Sequence, residues 1–528
     1  MIAPGRSASM SASRGELRTE ETFLVSYADL RGFIEALDNQ GMLRRVPGAD
    51  PHLEVGAVTE VAANLPECPA LLFDKFDGYP AGFRVFTNAT NSSVKAAIAL
   101  GLDPSLAPLE ALKRWKEKRS AFQRSGPLPQ RLTEPLFLEN TMAGHEVDLA
   151  CFPVPQWHAD DGGRYIGSGS LVVMGDPDSD WVNASIYRVQ VQTANTVTIQ
   201  FDHLGRHGAI LAKKFWDQGK SCPVAIVNGQ DPSLFLAGFE ALPAGYSEYD
   251  FAGAVKGEAI PLARAPLTQL LVPALAESIL EGYLLDPKTV MAEEGPFGEF
   301  TGYYAADRRP QPVMQVDAVH FRHNPILFAS PPLKPPLHHF GLPLKAATLW
   351  TLFENAGVTD VTGVWQHVSS LVTVVAVKQR YDGHAKRAGL IAAANSYMGR
   401  LIILVDDDID PSNMDDVLWA VATRCEPSDS IDIIRNGWSS ALDPRIPPEA
   451  KELGVTAHSK AIIDACRPYA WSSRFPPSTA LHPAEAKAVS DKWATVLRAQ
   501  TTRTEEEGPA INRAGTTSTA GRAPKNGL

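Results

Sequence analysis

Between Val182 and Ile210 the sequence runs VNASIYRVQVQTANTVTIQFDHLGRHGAI. Apolar and polar residues alternate from Val182 to Val191, the period of a β-strand. On such a strand Asn183, Ser185, Tyr187 and Val189 share one face, and Ala184, Ile186, Arg188 and Gln190 the other. An irregularity near Asn183 would redirect a side chain. A second strand is predicted over Val197–Phe201. Beyond it, two glycines flank Arg206–His207, just ahead of a helix predicted over Ala209–Gln218. Backbone N–H groups at a strand–helix junction can receive a phosphate, and His207 could ligate a metal. The plainer readings are a solvent-facing edge strand and a tight turn with a surface histidine.

Other β-rich runs flank this stretch: Leu171–Met174, Val224–Val227 and Val313–Phe321. Leu136 to about Phe328 therefore reads as a sheet or barrel, with a further helix predicted over Pro266–Ile279. Before it, YADLRGFIEALDNQGML carries a helical stripe of Leu30, Phe33, Ile34 and Leu37. Ser26 with Asp29 resembles a capping box, and Gly41 suits the helix stop. Pro108–Phe122 reads as a charged surface helix. From Pro343 the pattern turns α/β. Helices are predicted over Leu344–Asn355 and His384–Tyr397, and strands over Leu371–Val377 and Leu401–Val405. Asp410–Pro411 is expected to open a helix running to Arg424. These textures divide the chain into a tail (1–23), an α/β region (24–130), a β-rich domain (131–330), an α/β domain (331–498) and a second tail (499–528). Both tails are expected to stay disordered.

Two more segments carry polar residues that a plain core does not need. GYSEYDFAG, Gly245 to Gly253, holds Glu248 and Asp250. In EEGPFGEFTGYY, Glu293 to Tyr304, Glu294 and Glu299 bracket Gly295–Gly298. Small and apolar residues around two carboxylates suit partly buried acids, which desolvation keeps protonated for general-acid work. A solvated loop explains either segment equally well. The acidic run Asp406–Asp408 is better explained by a strand end and helix start than by a metal. Tyr381–Arg387 reads as an anion site or a turn. The Pro-rich Pro331–Phe340 reads as a stiff loop bordering a pocket.

Composition narrows the function. The chain has 528 residues, enough for about three domains. Its net charge is −11, which argues against nucleic acid or anionic lipid as the main partner. No apolar run approaches the length of a membrane span, and Met1–Glu20 lacks a signal-peptide core. Five scattered cysteines without a CxxC point to a reducing, cytoplasmic compartment.

Together NASIYR, the His207 segment, Ser247–Glu248, EGPFGE and LIILVDDDIDP (Leu401–Pro411) resemble the UbiD-type decarboxylases, the prenylated-flavin enzymes that include ferulic acid decarboxylases. The resemblance spans about Ser26 to Arg498. It implies an α/β (α+β) fold: an N-terminal α/β region, a central split β-barrel for the flavin, and a linking helix leading to a C-terminal α/β dimerisation domain. It assigns Asn183, His207 and Glu248 to a divalent ion, usually Mn2+, bridging to the phosphate of prenylated FMN. A K+ near Glu248 is typical of members. Ser185, Ile186, Arg188 and Arg206 would line the flavin, Arg206 standing where some members carry Gln. Arg188, Glu294 and Glu299 match a Glu–Arg–Glu catalytic network, with Glu299 the expected proton donor.

The implied reaction is reversible decarboxylation of an unsaturated acid, with a flavin prenyltransferase supplying the cofactor and a homodimer or homohexamer as the assembly. The Pro-rich stretch departs from the acrylic-acid type and favours an aromatic or heteroaromatic acid. Two rivals stand beside this reading. A conventional FMN oxidoreductase would need a nicotinamide site, and no GxGxxG follows a strand. A non-catalytic subunit of the same fold would not need Arg188, Glu294 and Glu299.

Overall fold

In the computed structural model, which describes residues 27–125, 131–201, 205–337, 340–481 and 483–497, the alternating run forms two strands, Val182–Ile186 and Arg188–Val191. The irregularity therefore falls at Tyr187 and not near Asn183. The two pieces take different partners. Val182–Ile186 pairs antiparallel with Leu171–Gly175, setting Asn183 opposite Met174 and Ser185 opposite Val172. Arg188–Val191 pairs with Thr196–Gln200, setting Arg188 opposite Gln200. In the nine-stranded sheet the order is Val182–Ile186, Leu171–Gly175, Cys222–Asn228, Ser278–Leu284, Arg309–Phe321, Thr196–Gln200, Arg188–Val191. The two ends of that path are consecutive in the chain, joined through Tyr187 alone. The sheet must therefore curl back on itself, giving a half-closed barrel.

Burial on both faces explains the texture of these strands. Leu171, Val173, Ala225 and Val227 enter one hydrophobic core, while Val172, Met174, Val224 and Ile226 enter the other. Sheets covered on both sides read as continuous apolar runs. That same property overturns the helix predicted over Pro266–Ile279. Leu271–Pro273 is a strand paired with Pro261–Arg264, and Ser278 begins a central barrel strand. The Glu281 carboxylate accepts from Leu267 N at 3.2 Å and Thr268 N at 2.7 Å, fixing the turn between them.

The N-terminal stripe folds as the helix Leu30–Asn39, with all four predicted core residues buried. Asp29 is its cap, accepting from Gly32 N at 2.9 Å. Ser26, the other half of the expected capping box, lies outside the described residues, as do both predicted tails. A four-stranded sheet takes Leu43–Pro47, Ala70–Asp74 and Arg84–Thr87 from this region and Ile326–Phe328 from the end of the barrel segment.

The α/β pattern after Pro343 is present. Strands Val361–His367, Val372–Val377, Leu401–Asp406, Ala457–Ala465 and Ile431–Trp438 form a five-stranded sheet in that order. Helices Leu344–Asn355 and His384–Asn395 match their predicted starts. The next helix begins at Met414, later than expected. Asp410 is used by the preceding turn, where it accepts from Ser412 N at 2.9 Å, and Asn413 caps the helix. Asp406 and Asp408 are held by Arg424 at 3.0 and 2.9 Å, so the acidic run is an ion-pair network. Residues from Ser473 form a separate unit with helices Pro483–Lys492 and Ala494–Leu497. Among the described residues no helix is long and apolar enough to cross a membrane.

Candidate active site

The break at Tyr187 divides the sequence-predicted residues into two groups. Upstream of it, Asn183 and Ser185 point from one face of their strand at Glu248, the first residue of the helix Glu248–Lys256. Asn183 Nδ2 donates to Glu248 Oε1 at 2.8 Å, Ser185 Oγ donates to the same oxygen at 3.2 Å, and Ala184 N donates to Oε2 at 2.9 Å. Asn183 is 0% and Glu248 2% exposed. Burial pushes the Glu248 carboxyl up, and these donors oppose the shift. Asn183 Oδ1 is buried and accepts no hydrogen bond. Such an atom costs about 1–3 kcal/mol unless a donor or cation meets it.

His207 begins another helix, His207–Trp216, and that helix and the Glu248 helix both pack against Val182–Ile186. Burial and the neighbouring Arg206 charge lower the His207 pKa, favouring the neutral imidazole that a metal requires. The link between the three ligand-type residues is Trp181, which sequence reasoning missed. Its ring meets His207 edge-on at 5.0 Å, and its Nε1–H donates to Tyr246 O at 3.0 Å, two residues before Glu248. Arg206 donates to Ile186 O at 3.1 Å and lies over the Tyr187 ring. Tyr187 in turn accepts from Gly208 N at 2.9 Å, so the strand break and the helix start brace each other. Ile186 N reaches Gly238 O at 3.3 Å.

Downstream of the break, Arg188 holds both predicted acids. Its Nε and Nη2 donate to the two oxygens of Glu294 at 2.7 and 2.8 Å, and its Nη1 donates to Glu299 Oε1 at 2.8 Å. A planar fork permits this double grip, and an ammonium would not. Burial opposes the Arg188 charge, but the carboxylates outweigh it and raise its pKa. The acids are not equivalent. The Glu294 side chain is 1% exposed with both oxygens engaged, whereas the Glu299 side chain is 17% exposed and meets Arg188 through one oxygen. Gln190, two residues along the same face, accepts from Gly295 N at 3.0 Å.

The segment His158–Gly163 was also missed, and it cradles the loop between the acids. Gly162 N donates to Pro296 O at 2.7 Å, and Tyr165 donates to the same carbonyl at 3.2 Å. A Cβ at Gly162 would lie 1.8 Å from Gly295 O. The signal was present as Asp160–Asp161–Gly162–Gly163, but an acidic pair before two glycines reads first as a turn. Gly162→Ala is expected to force the two backbones apart, destabilising the fold by about 1–3 kcal/mol and depressing turnover. Thermal unfolding and an activity assay on the same sample check this; an Ala variant matching the wild type in both contradicts the close approach.

One guanidinium thus holds a buried and a partly exposed carboxylate, an arrangement able to pass a proton, while the Asn183–Glu248 cluster lies on the strand just before the break. Comparison with known sequences places the chain in a family. Models of the 3-octaprenyl-4-hydroxybenzoate carboxy-lyase N-terminal domain, Rift-related domain and C-terminal domain match residues 34–115, 130–335 and 338–465. The phenolic acid decarboxylase of Streptomyces sp. (strain D7) is 32% identical over 489 residues, 90% of this chain and 98% of its own. The pyrrole-2-carboxylic acid decarboxylase of Pseudomonas aeruginosa is 33% identical over 430 residues, 76% of this chain and 84% of its own. The UbiD-class enzyme HmfF from Pelotomaculum thermopropionicum, solved in complex with FMN, superposes with a TM-score of 0.78 at 26% identity, covering 88% of this chain and 99% of HmfF. An evolved dimeric form of HmfF in complex with prFMN gives 0.73 at 27% identity, covering 87% and 98%. The chain belongs to the UbiD family and is a carboxy-lyase, a decarboxylase.

Proposed function

We propose that this decarboxylase acts reversibly and without net oxidation on an unsaturated carboxylic acid, aromatic or heteroaromatic in preference to acrylic, using prenylated FMN. The named substrates of the relatives, phenolic acids and pyrrole-2-carboxylic acid, support that class, and HmfF binds FMN and prFMN. When bound, the prenylated flavin supplies the electron sink that no side chain offers.

The residues fit such a group. Asn183 Oδ1 is a buried acceptor with no donor of its own, beside a buried carboxylate and near an imidazole-bearing helix start. An amide oxygen, imidazole and carboxylate suit Mn2+ or a similar ion. In this reading Asn183, His207 and Glu248 would hold the ion, whose charge would offset that of the flavin phosphate, and Glu248 would also serve K+. Ser185, Ile186, Arg188 and Arg206 face the flavin. Residues 24–130, 131–330 and 331–498 form the N-terminal region, the flavin-binding barrel and the dimerisation domain of a homodimer or homohexamer in the cytoplasm. A flavin prenyltransferase supplies the cofactor.

The observation that carries the proton-transfer step is the asymmetry of the acids. Glu294, buried and bidentate, fixes the Arg188 plane. Glu299, which is 17% exposed, is the group able to exchange a proton with solvent and deliver it to the carbon that has lost carbon dioxide. Arg188 orients that carboxyl and balances its charge when ionised.

The test is carbon dioxide release from a panel of hydroxybenzoates, heteroaromatic acids and cinnamic-type acids, using protein co-expressed with a flavin prenyltransferase. Release from at least one aromatic or heteroaromatic acid is expected, together with a flavin heavier than FMN. Release with unmodified FMN alone would reject the cofactor assignment. Silence across the panel would reject the proposed substrate class.

A further inference from the structure

We propose that Asp161 is a positioning residue for Glu299, an inference that rests on the proton-donor reading of Glu299. Glu299 opens a tight turn in which its N–H donates to Tyr303 O at 3.0 Å and its C=O accepts from Gly302 N at 2.8 Å. The shoulders of that turn, Gly298 and Tyr304, form a β-bridge. Both are tied to one atom. Asp161 Oδ1 accepts from Gly298 N at 3.3 Å and from the Tyr304 hydroxyl at 3.1 Å. Its other oxygen accepts from His158 N at 2.9 Å, with the His158 ring Nδ1 3.6 Å away. The carboxylate is fully buried, its side chain 0% exposed.

A buried anion is retained only where its hydrogen bonds are made. Here three donors meet it, two of them from the turn that carries Glu299. Arg188 holds the Glu299 head, while Asp161 holds the backbone from which the side chain springs. His158 N on the other oxygen holds the carboxylate itself in place, so the one atom that receives both turn donors is fixed. Misplacement of about 1 Å at a reacting group can cost roughly 10²-fold in rate, which sets the scale of the effect. Asp161 grips the backbone and the Tyr304 hydroxyl of the turn that carries Glu299, so its influence on the proton transfer runs through that turn.

Asp161→Asn preserves shape but places an NH2 against one set of these donors. In the flavin-loaded enzyme it is expected to lower kcat by roughly 10–100-fold, with KM within about threefold and flavin and metal content unchanged. Tyr304→Phe removes one hydroxyl at a partly exposed position and is expected to lower kcat by roughly threefold to tenfold in the same pattern. In a Glu299→Gln background, Asp161→Asn should lower kcat no further, because the group it positions is already disabled.

Unchanged kcat in both single variants, or an equal fractional loss with and without Glu299→Gln, overturns the proposal while leaving the donor reading intact. Full turnover by Glu299→Gln alone overturns both. If Asp161→Asn fails to fold, Tyr304→Phe and its combination with Glu299→Gln decide the question by the same criterion.

Discussion

Glu299→Gln is expected to bind flavin and metal normally, to fold normally, and to lose about 10²–10⁴-fold in turnover, the range for removing a general acid. The amide keeps the size of the carboxyl and a carbonyl oxygen for Arg188 Nη1, which now donates to Glu299 Oε1 at 2.8 Å. It cannot be a proton donor of the same acidity. Solvent deuterium exchange into the product should fall in parallel, because by microscopic reversibility one group handles that proton in both directions. Arg188→Lys should be damaging for a different reason. It leaves Glu294, 1% exposed and bidentate to the guanidinium, with a single point charge in place of a fork. Breaking such a buried pair costs about 3–5 kcal/mol, so loss of stability should accompany loss of activity. The two variants are told apart by thermal unfolding: only Arg188→Lys should melt earlier. A Glu299→Gln enzyme with near-normal turnover and exchange would move the donor role to Glu294 or to a bound water.

The residues that the structure brings together, Asn183, Ser185 and Glu248 in one cluster and Arg188, Glu294 and Glu299 in the other, were singled out by the family resemblance, since each segment alone also reads as an edge strand, a turn or a solvated loop. The Asn183–Gln190 alternation survives the break: Asn183 and Ser185 meet Glu248, while Arg188 and Gln190 meet the Glu294–Gly295 loop. What local pattern could not show is where the strand stops. Tyr187 has good strand propensity, and its departure from the ladder follows from closing the barrel, with its hydroxyl taken by Gly208 N. Pro266–Ile279 failed for a related reason. Short apolar runs buried on both faces have no period to separate strand from helix, and barrel pairing settled the matter.

The Met414 helix start was obscured because Asp410 and Asn413 both have cap chemistry, and only the structure shows which one the helix uses. Asp161 was unreadable for a third reason. Its donors from the turn lie 137 and 143 residues away along the chain, and nothing local distinguishes it from Asp160 beside it.

His207→Ala is expected to lose metal and flavin together, each by more than tenfold in the purified protein. In the proposed arrangement one ion joins the protein to the flavin phosphate, so a ligand lost from the ion is also a tether lost from the cofactor. Loss of even an outer partner of a metal ligand typically costs about 10–100-fold in affinity, and removing a ligand should cost at least as much. The fold itself should tolerate the change. His207 is only partly buried at the first turn of its helix, and that turn is braced independently by Gly208 N on Tyr187 and by Arg206 on Ile186 O. Melting of the metal-free variant should therefore match that of metal-free wild type, and this comparison separates a lost ligand from a lost fold. Stripping Mn2+ from the wild type with a chelator should release flavin at a matching rate. If the purified variant retains full manganese and flavin, His207 is not a ligand. The orphaned oxygen of Asn183 and the buried Glu248 carboxylate would then need a different cation, and a K+ bound at Glu248 would be the first to examine.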